Sequence, residues 1–265
     1  MSAIFKQVIC FTTAAWILTA CNDPATSSGS SAASSNAPSS AIQYGQRGSD
    51  NTWPHLPESP NTSGITGEKL AANYLIVFDG SGSMEETGCT SSGNRLSTAK
   101  KAVLDFMTTI PSGSNLGLYA FDKLGTGPRL PIGQHSEQNL SSTINALAHG
   151  GGTPLKDAIN QGANMLTLQA QSQLGYGEYH LVVVTDGSPS TGQDPTYAIQ
   201  NVTSQTAINI HTIGFCLDET HPLNQQGVTS YYSAHDEQSL KKGLSSVLAE
   251  APSFDVDSFG GDNNG

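Results

Sequence analysis

Five side chains that end in oxygen atoms stand at three points of the chain where ligand-binding loops are expected. They are Asp79, Ser81 and Ser83 in a run of Asp-Gly-Ser-Gly-Ser, Thr153 after three glycines, and Asp186 in a second Asp-Gly pair. Two carboxylates and three hydroxyls make an all-oxygen ligand set, which is typical of sites for hard divalent cations. The set predicts Mg²⁺, which prefers octahedral oxygen coordination, with Mn²⁺ or Ca²⁺ as alternatives. It contains no Cys or His, so a zinc-type site is not indicated.

These loops follow the strands of a predicted parallel sheet. Tyr74–Phe78 and Leu181–Thr185 are short, continuous apolar runs, which is the pattern of strands buried on both faces, and each run ends directly before an Asp-Gly pair. In an open α/β sheet, ligands bind beyond the carboxyl ends of the strands, at the point where the strand order reverses. We therefore expect the five side chains to meet at one edge of the sheet.

Helical patterns alternate with strands along the rest of the chain. The predicted helices lie at Leu96–Ile110, Leu140–Leu147, Leu155–Leu166 and Leu240–Leu248. Two further strands are predicted at Leu116–Phe121 and Ile208–Phe215. This alternation predicts an α/β fold with a Rossmann-like, open, mostly parallel sheet and helices on both faces. We expect a single domain over residues 70–250.

The first 20 residues resemble the signal peptide of a bacterial lipoprotein. Lys6 precedes an apolar stretch that is too short to span a membrane, and Leu18–Cys21 resembles the lipobox, in which the signal is cut before the cysteine. The resemblance implies that Cys21 is acylated and anchors the protein in a lipid bilayer. Asn22 favours the outer membrane by the sorting rule of such proteins. We expect a location in the bacterial cell envelope, with the domain in the periplasm or on the cell surface; an uncleaved anchor or ordinary signal peptide is the alternative.

The four cysteines then separate into two pairs. Cys10 leaves with the signal peptide and Cys21 carries lipid, so Cys89 and Cys216 remain in the exported domain. Export places them in an oxidising compartment, where a disulfide between them can persist. Two unpaired thiols are the alternative.

Two segments of low apolar content flank the predicted domain. Residues 21–69 are rich in Ser, Ala and Gly and are predicted to form a flexible tether, in which Trp53 and its neighbours could pack on the domain. Residues 251–265 are predicted to form an acidic, disordered tail. A metal-binding loop that opens at Asp255 is the alternative for the tail.

The charge and the hydropathy of the chain exclude two classes of function. The chain has 265 residues, with 11 basic and 22 acidic side chains and a formal net charge of −11. Such a balance is unfavourable for holding nucleic-acid phosphates, so no nucleic-acid partner is expected. No apolar run reaches the roughly 18 residues that a spanning helix needs, so a polytopic membrane protein is not expected either.

The chain resembles the von Willebrand factor type A domain over about residues 73–250. The five oxygen-bearing residues resemble the metal-ion-dependent adhesion site of that family. Arg95–Lys100 and Tyr231–Ala234 resemble the first helix of the family and the segment before its last helix. The chain departs from the family at Glu85–Gly93, a loop that contains the unusual Cys89.

The resemblance implies a role for each residue of the candidate site. Ser81 and Ser83 would ligate the cation directly through their hydroxyls. Thr153 would ligate it directly or through water. Asp79 and Asp186 would act mainly through bound waters and by fixing the hydroxyls.

The resemblance and the ligand chemistry together predict a lipid-anchored binding module rather than an enzyme. A cation with neutral hydroxyl ligands stays electrophilic, so an acidic residue of a protein partner could complete its coordination. The alternatives are a metal-assisted hydrolase and a structural lipoprotein with a vestigial metal site. Neither a nucleophile elbow nor a metal-binding histidine motif is present to favour catalysis.

Overall fold

One sheet of six strands runs through the protein in the computed structural model, which describes residues 53–56 and 69–249. The strands are β1 (Ala72–Asp79), β2 (Asn115–Asp122), β3 (Gly125–Gly133), β4 (Glu178–Thr185), β5 (Ile208–Phe215) and β6 (Ser230–Ala234). The helices are α1 (Arg95–Thr109), α2 (Glu137–Ala146), α3 (Leu155–Ser172), α4 (Thr196–Gln205) and α5 (Glu237–Ala249). A short 3-10 helix, Gly82–Glu85, follows β1.

The strand order is β3-β2-β1-β4-β5-β6, and every neighbouring pair is parallel except β2 with β3. The chain leaves β1 towards β2 on one side and later returns to β4 on the other. The order therefore reverses between β1 and β4, and their carboxyl ends mark the switch point at which ligands bind in such sheets. The predicted α/β fold, with a single, mostly parallel sheet, is confirmed.

The side chains of β1 alternate between two hydrophobic cores. Tyr74, Ile76 and Phe78 pack with α1, α2 and α5 on one face of the sheet. Leu75 and Val77 pack with α3 and α4 on the other face. All five are at most 1% exposed, so β1 is fixed from both sides and its carboxyl end is a rigid place for a site.

The start of α1 is fixed by a capping box. The Asn94 side chain accepts a hydrogen bond from Ser97 N–H at 2.9 Å, and the Ser97 hydroxyl accepts one from Asn94 N–H at 3.1 Å. One turn further on, Lys100 Nζ donates to the carbonyl of Asn145 near the end of α2 at 2.9 Å. These bonds place Arg95, the first residue of α1, at the edge of the sheet where β1 ends.

Two strands and one α-helix were not predicted from the sequence. β3 contains two prolines and three glycines, which are tolerated because it is an antiparallel edge strand with one buried residue, Leu130. β6 is five residues long and has one buried residue, Ala234. α4 buries Ala198, Ile199 and Val202 among polar neighbours, a pattern too short to predict a helix reliably.

Part of the predicted tether packs on the domain, as the sequence suggested for Trp53. The Trp53 ring lies edge-to-face on Tyr179 of β4, with ring centroids 5.1 Å apart. Its Nε1–H donates to the Thr167 hydroxyl of α3 at 3.1 Å. Gln171 Nε2 donates to the carbonyl of His55 at 3.0 Å. Residues 53–55 therefore cover the junction of α3 and β4.

The predicted signal peptide, Cys21, the tail and tether residues 22–52 and 57–68 lie outside the described residues. Within residues 53–56 and 69–249, no helix combines the length and apolar character needed to cross a bilayer.

Candidate metal centre

The five predicted site residues come together at the carboxyl edge of the sheet. Asp79 is the last residue of β1, and Ser81 and Ser83 lie in the turn and 3-10 helix that follow. Thr153 lies two residues before α3, and Asp186 directly follows β4. Their convergence follows from β1 and β4 being parallel neighbours at the switch point.

The three hydroxyls surround one small space beside Gly187. A methyl group built on Gly187 would lie 3.0 Å from Ser83 Oγ, 3.5 Å from Thr153 Oγ1 and 3.9 Å from Ser81 Oγ. The oxygens of Ser81 and Ser83 are 3.1 Å apart. Because three oxygens face a space that glycine leaves open, the residues present fit a small, hard cation.

Asp79 is completely buried, and both of its carboxylate oxygens accept hydrogen bonds. Oδ1 accepts from Ser81 N–H at 2.7 Å, and Oδ2 accepts from the Thr185 hydroxyl at 2.5 Å. Burial, and to a smaller extent nearby Asp186, raises the pKa of Asp79 to about 6 against the opposing effect of these hydrogen bonds. A bound cation would stabilise the ionised form.

Asp186 connects the Ser83 hydroxyl to Arg95, whose side chain is mostly buried. Its Oδ1 accepts from the Ser83 hydroxyl at 2.7 Å, and its Oδ2 accepts from Arg95 Nη1 at 3.0 Å. Burial raises the pKa of Asp186, while Ser83 and Arg95 oppose that rise. The carboxylate therefore holds the Ser83 hydroxyl in place.

The loop that carries Thr153 is fastened at both ends. Gly150 N–H donates to Gly80 O at 2.9 Å, and Gly82 N–H donates to Gly151 O at 3.2 Å. Gly150 and Gly151 have φ of +147° and +86°, which favours glycine at both positions. Thr153 N–H donates to Ser190 Oγ at 2.8 Å, and Ser190 N–H donates back to Thr153 O at 3.0 Å.

The Cys89–Cys216 disulfide forms beside the site. It joins the loop after the 3-10 helix to the residue that follows β5, across a sequence separation of 127 residues. Both cysteines have left-handed backbones, with φ of +64° and +62°. Arg95 Nη2 lies 3.3 Å from Cys216 Sγ, so the disulfide belongs to the surroundings of Asp186.

Sequence reasoning missed several residues that position the site. Thr185 was assigned only to a strand end, and Ser190 was given no role. Arg95 was noted as part of the family resemblance, but no local pattern indicates its pairing with Asp186, 91 residues away. His221 is buried against the site: Leu223 N–H donates to its Nδ1 at 3.3 Å, so its Nε2 faces the carbonyl of Gly187 as a donor at 3.2 Å.

The other histidines lie apart from the site or at its rim. His180 and His211 are buried together, with Nδ1 and Nε2 3.1 Å apart, a contact that their sequence spacing did not predict. His149 lies 3.7 Å from the Glu85 carboxylate. In the described ranges, no group of three or more His, Cys, Asp or Glu side chains is placed to hold a metal, so the candidate centre depends on its hydroxyls.

Comparison with known proteins agrees with this architecture. A model of the von Willebrand factor type A domain matches residues 74–260. The uncharacterized protein YwmC of Bacillus subtilis is 24% identical over 196 residues, which cover 67% of this chain and 83% of YwmC.

Two solved structures are similar in fold at low identity. The pilus adhesin SpaC of Lactobacillus rhamnosus GG is 15% identical with a TM-score of 0.52, over 69% of this chain and 31% of SpaC. Proximal thread matrix protein 1 of the mussel byssus was solved with zinc in its metal-ion-dependent adhesion site (MIDAS) motif. It is 14% identical with a TM-score of 0.53, over 68% of this chain and 47% of that protein. This chain therefore spans less than half of either protein, and these likenesses concern the fold alone. With a family match over well more than half of its length and the matching sheet topology, the chain belongs to the von Willebrand factor type A domain family.

Proposed function

We propose that this protein is a lipid-anchored binding module of the bacterial cell envelope that captures a protein partner through a divalent cation. The observation that carries the proposal is the convergence of the Ser81, Ser83 and Thr153 hydroxyls around the space beside Gly187. Two buried carboxylates lie next to it: Asp186 accepts from the Ser83 hydroxyl, and Asp79 accepts from the Ser81 N–H and fixes that turn.

The chemistry of the donors supports binding more than turnover. Neutral hydroxyl ligands leave a cation electrophilic, so that an acidic side chain of a partner is a suitable further ligand. Both oxygens of Asp79 and both oxygens of Asp186 accept hydrogen bonds within the protein. These bonds give both carboxylates a positioning role within the site, and we propose a non-catalytic role for them.

Mg²⁺ is the proposed cation. All five candidate side chains offer oxygen, which suits Mg²⁺ better than the nitrogen and sulfur ligands that zinc prefers. The zinc-occupied MIDAS motif of the mussel protein makes zinc the competitor to include in any test. Mn²⁺ or Ca²⁺ would serve as substitutes for Mg²⁺.

The anchoring and the choice of partner rest on the sequence. Acylation of Cys21 would attach the chain to a bilayer, and the Ser-rich residues that follow would hold the domain away from it. The similarity in fold to a pilus adhesin and to a matrix protein supports a protein partner. The formal net charge of −11 argues against nucleic acid.

Calorimetric titration with Mg²⁺ tests the proposal. The chain would carry Cys21→Ser so that no lipid is attached, and Asp79→Asn would be its comparison. We expect one Mg²⁺ per chain and a weakening of at least about a hundredfold in Asp79→Asn, because a buried anion beside the hydroxyls is lost. Equal binding by both proteins, or none by either at millimolar Mg²⁺, would contradict the proposal. Zn²⁺ added in competition measures the selectivity.

Membrane attachment needs a separate experiment. The unmodified chain should sediment with the membrane fraction, and Cys21→Ser should move it to the soluble fraction. Sedimentation that does not depend on Cys21 would overturn the anchoring.

A further inference from the structure

Arg95 links the candidate centre to the disulfide loop. Its side chain is 11% exposed. Its Nη1 donates to Asp186 Oδ2 at 3.0 Å and its Nη2 contacts Glu86 Oε2 at 2.8 Å. Its Nε donates to Gly88 O at 3.3 Å, and Nη2 lies 3.3 Å from Cys216 Sγ. Both terminal nitrogens of the guanidinium group are therefore paired with carboxylates, those of Asp186 and Glu86.

The position of Arg95 decides the net charge of the centre. The side chain of Asp186 is fully buried, and Asp79 is fully buried as well. A divalent cation would cancel these two negative charges, so that the buried guanidinium leaves the loaded centre positive. The Glu86 side chain is 61% exposed, and water screens its charge more effectively than it screens the buried charge of Arg95.

We propose that Arg95 is a specificity-determining residue of this centre, whose positive charge makes the cation-loaded site select an anionic ligand such as a carboxylate. The inference rests on the proposed function, since it needs a cation among the hydroxyls. The same charge opposes the cation itself. Arg95 therefore weakens the binding of the bare cation and strengthens the capture of the anion.

The disulfide keeps Arg95 where this effect is largest. Cys89 follows Gly88, whose carbonyl accepts from Arg95, and Cys216 supplies the sulfur beside Nη2. The disulfide thus holds the loop that contains Glu86 and Gly88 against the end of β5. Without it, we expect the guanidinium to move towards water and its influence on the centre to fall.

The test measures two affinities on the full chain carrying Cys21→Ser. Mn²⁺ uptake is followed by the relaxation rate of water protons, and acetate, as the probe carboxylate, is then titrated into the Mn²⁺-loaded protein. For Arg95→Met we expect Mn²⁺ to bind more tightly and acetate more weakly, each by about tenfold, because one charge near the cation is removed. Arg95→Lys retains the charge and should restore both affinities to within about threefold of the original.

Glu86→Gln should shift both affinities in the direction opposite to Arg95→Met, and Glu85→Gln is its matched control. Glu86→Gln removes the exposed partner of Arg95, so acetate should bind more tightly and Mn²⁺ more weakly, each by about twofold to threefold. Glu85→Gln makes the same change of charge on a side chain that contacts His149 and is 72% exposed. It should change both affinities less than Glu86→Gln does.

The pattern of outcomes separates this inference from the proposed function. A purely structural role for Arg95 would weaken both Mn²⁺ and acetate in Arg95→Met, and that result would overturn the inference while the metal site stands. Should Arg95→Met fail to fold, the double variant Cys89→Ser/Cys216→Ser provides the test. It should bind Mn²⁺ more tightly and acetate more weakly, each by less than the roughly tenfold expected for Arg95→Met. Unchanged affinities in the double variant would overturn the inference. No Mn²⁺ uptake by the original chain would overturn the metal site and this inference together.

Discussion

The two ends of β1 bury polar side chains in opposite ways. Asn73, near the amino end, and Asp79, at the carboxyl end, are both completely buried. The two hydrogens of the Asn73 Nδ2 group are shared among Ala71 O at 2.9 Å, Gln173 Oε1 at 2.7 Å and Glu178 O at 2.9 Å, and Asn73 Oδ1 accepts from Asn115 Nδ2 at 2.9 Å. The acceptors on Ala71 and Glu178 are backbone carbonyl oxygens, which cannot become donors, so they require a donor at this position.

Asp79 is instead bonded to groups that can adapt. Its Oδ2 faces the Thr185 hydroxyl, which can donate or accept, and beyond it the hydroxyls of Ser81, Ser83 and Thr153 share one space. Fixed carbonyls make a closed structural network, whereas hydroxyls around an open space make a site. The difference indicates that function belongs to the end where the buried polar groups can change partners.

The largest expected effect is the loss of stability on removing the Cys89–Cys216 disulfide. Among the described residues, a disulfide is present only at the carboxyl end of β1. Replacing Cys89 and Cys216 with serine should lower the free energy of unfolding by about 4–5 kcal/mol, because the disulfide closes a loop of more than a hundred residues. Urea denaturation under oxidising conditions measures it, with Cys21→Ser as the common background. A loss below about 1 kcal/mol would contradict a structural role for the disulfide.

Exchanging the two polar residues tests the comparison itself. Asn73→Asp places a buried carboxylate against the backbone carbonyls of Ala71 and Glu178, and should lower the free energy of unfolding by about 3 kcal/mol or more. Asp79→Asn should leave the stability of the metal-free protein unchanged or higher, since the Thr185 hydroxyl can reverse its role. Similar losses in both variants, measured by urea denaturation, would show that the two ends are alike.

The pH dependence of stability should also distinguish the two ends. Because the pKa of Asp79 rises from 3.8 to about 6 on folding, the folded state holds its proton more strongly than the unfolded state does. Without metal, its contribution to the free energy of unfolding is therefore most favourable below pH 4. It falls by about 2–3 kcal/mol as the pH rises through 6.

Asp79→Asn isolates this contribution. We expect the stability difference between Asp79→Asn and the original protein to grow in favour of the variant between pH 4.5 and pH 7, and saturating Mg²⁺ to reverse that trend for the original alone. A difference that stays constant with pH would refute the assignment.

The smallest change fills the space at the site. Gly187→Ala would place a methyl group 3.0 Å from Ser83 Oγ and within 4 Å of the other two hydroxyls. We expect Mg²⁺ affinity to fall by about tenfold, with little effect on the metal-free protein. Gly133→Ala is the control, since its added methyl meets no atom within 4 Å. Equal Mg²⁺ affinity in both variants would move the proposed cation away from Gly187.

Much of this arrangement follows from local sequence patterns. The apolar runs before Asp79 and Asp186 predicted β1 and β4, and parallel strands at a switch point bring their ends together. What the sequence does not reveal is pairing over long separations. Arg95 with Asp186, and Asn73 with Gln173, lie 91 and 100 residues apart and have no local signal. The edge strand β3 was missed because its prolines and glycines resemble those of a loop.

Anomalous diffraction from a crystal containing Mn²⁺ tests the central claim most directly. The account predicts one strong manganese peak in the space beside Gly187, within about 2.5 Å of the hydroxyl oxygens of Ser81 and Ser83. The same crystal form of Asp79→Asn should show no peak there. A peak elsewhere, or no peak while Ser81 Oγ and Ser83 Oγ remain bonded to each other, would contradict the account.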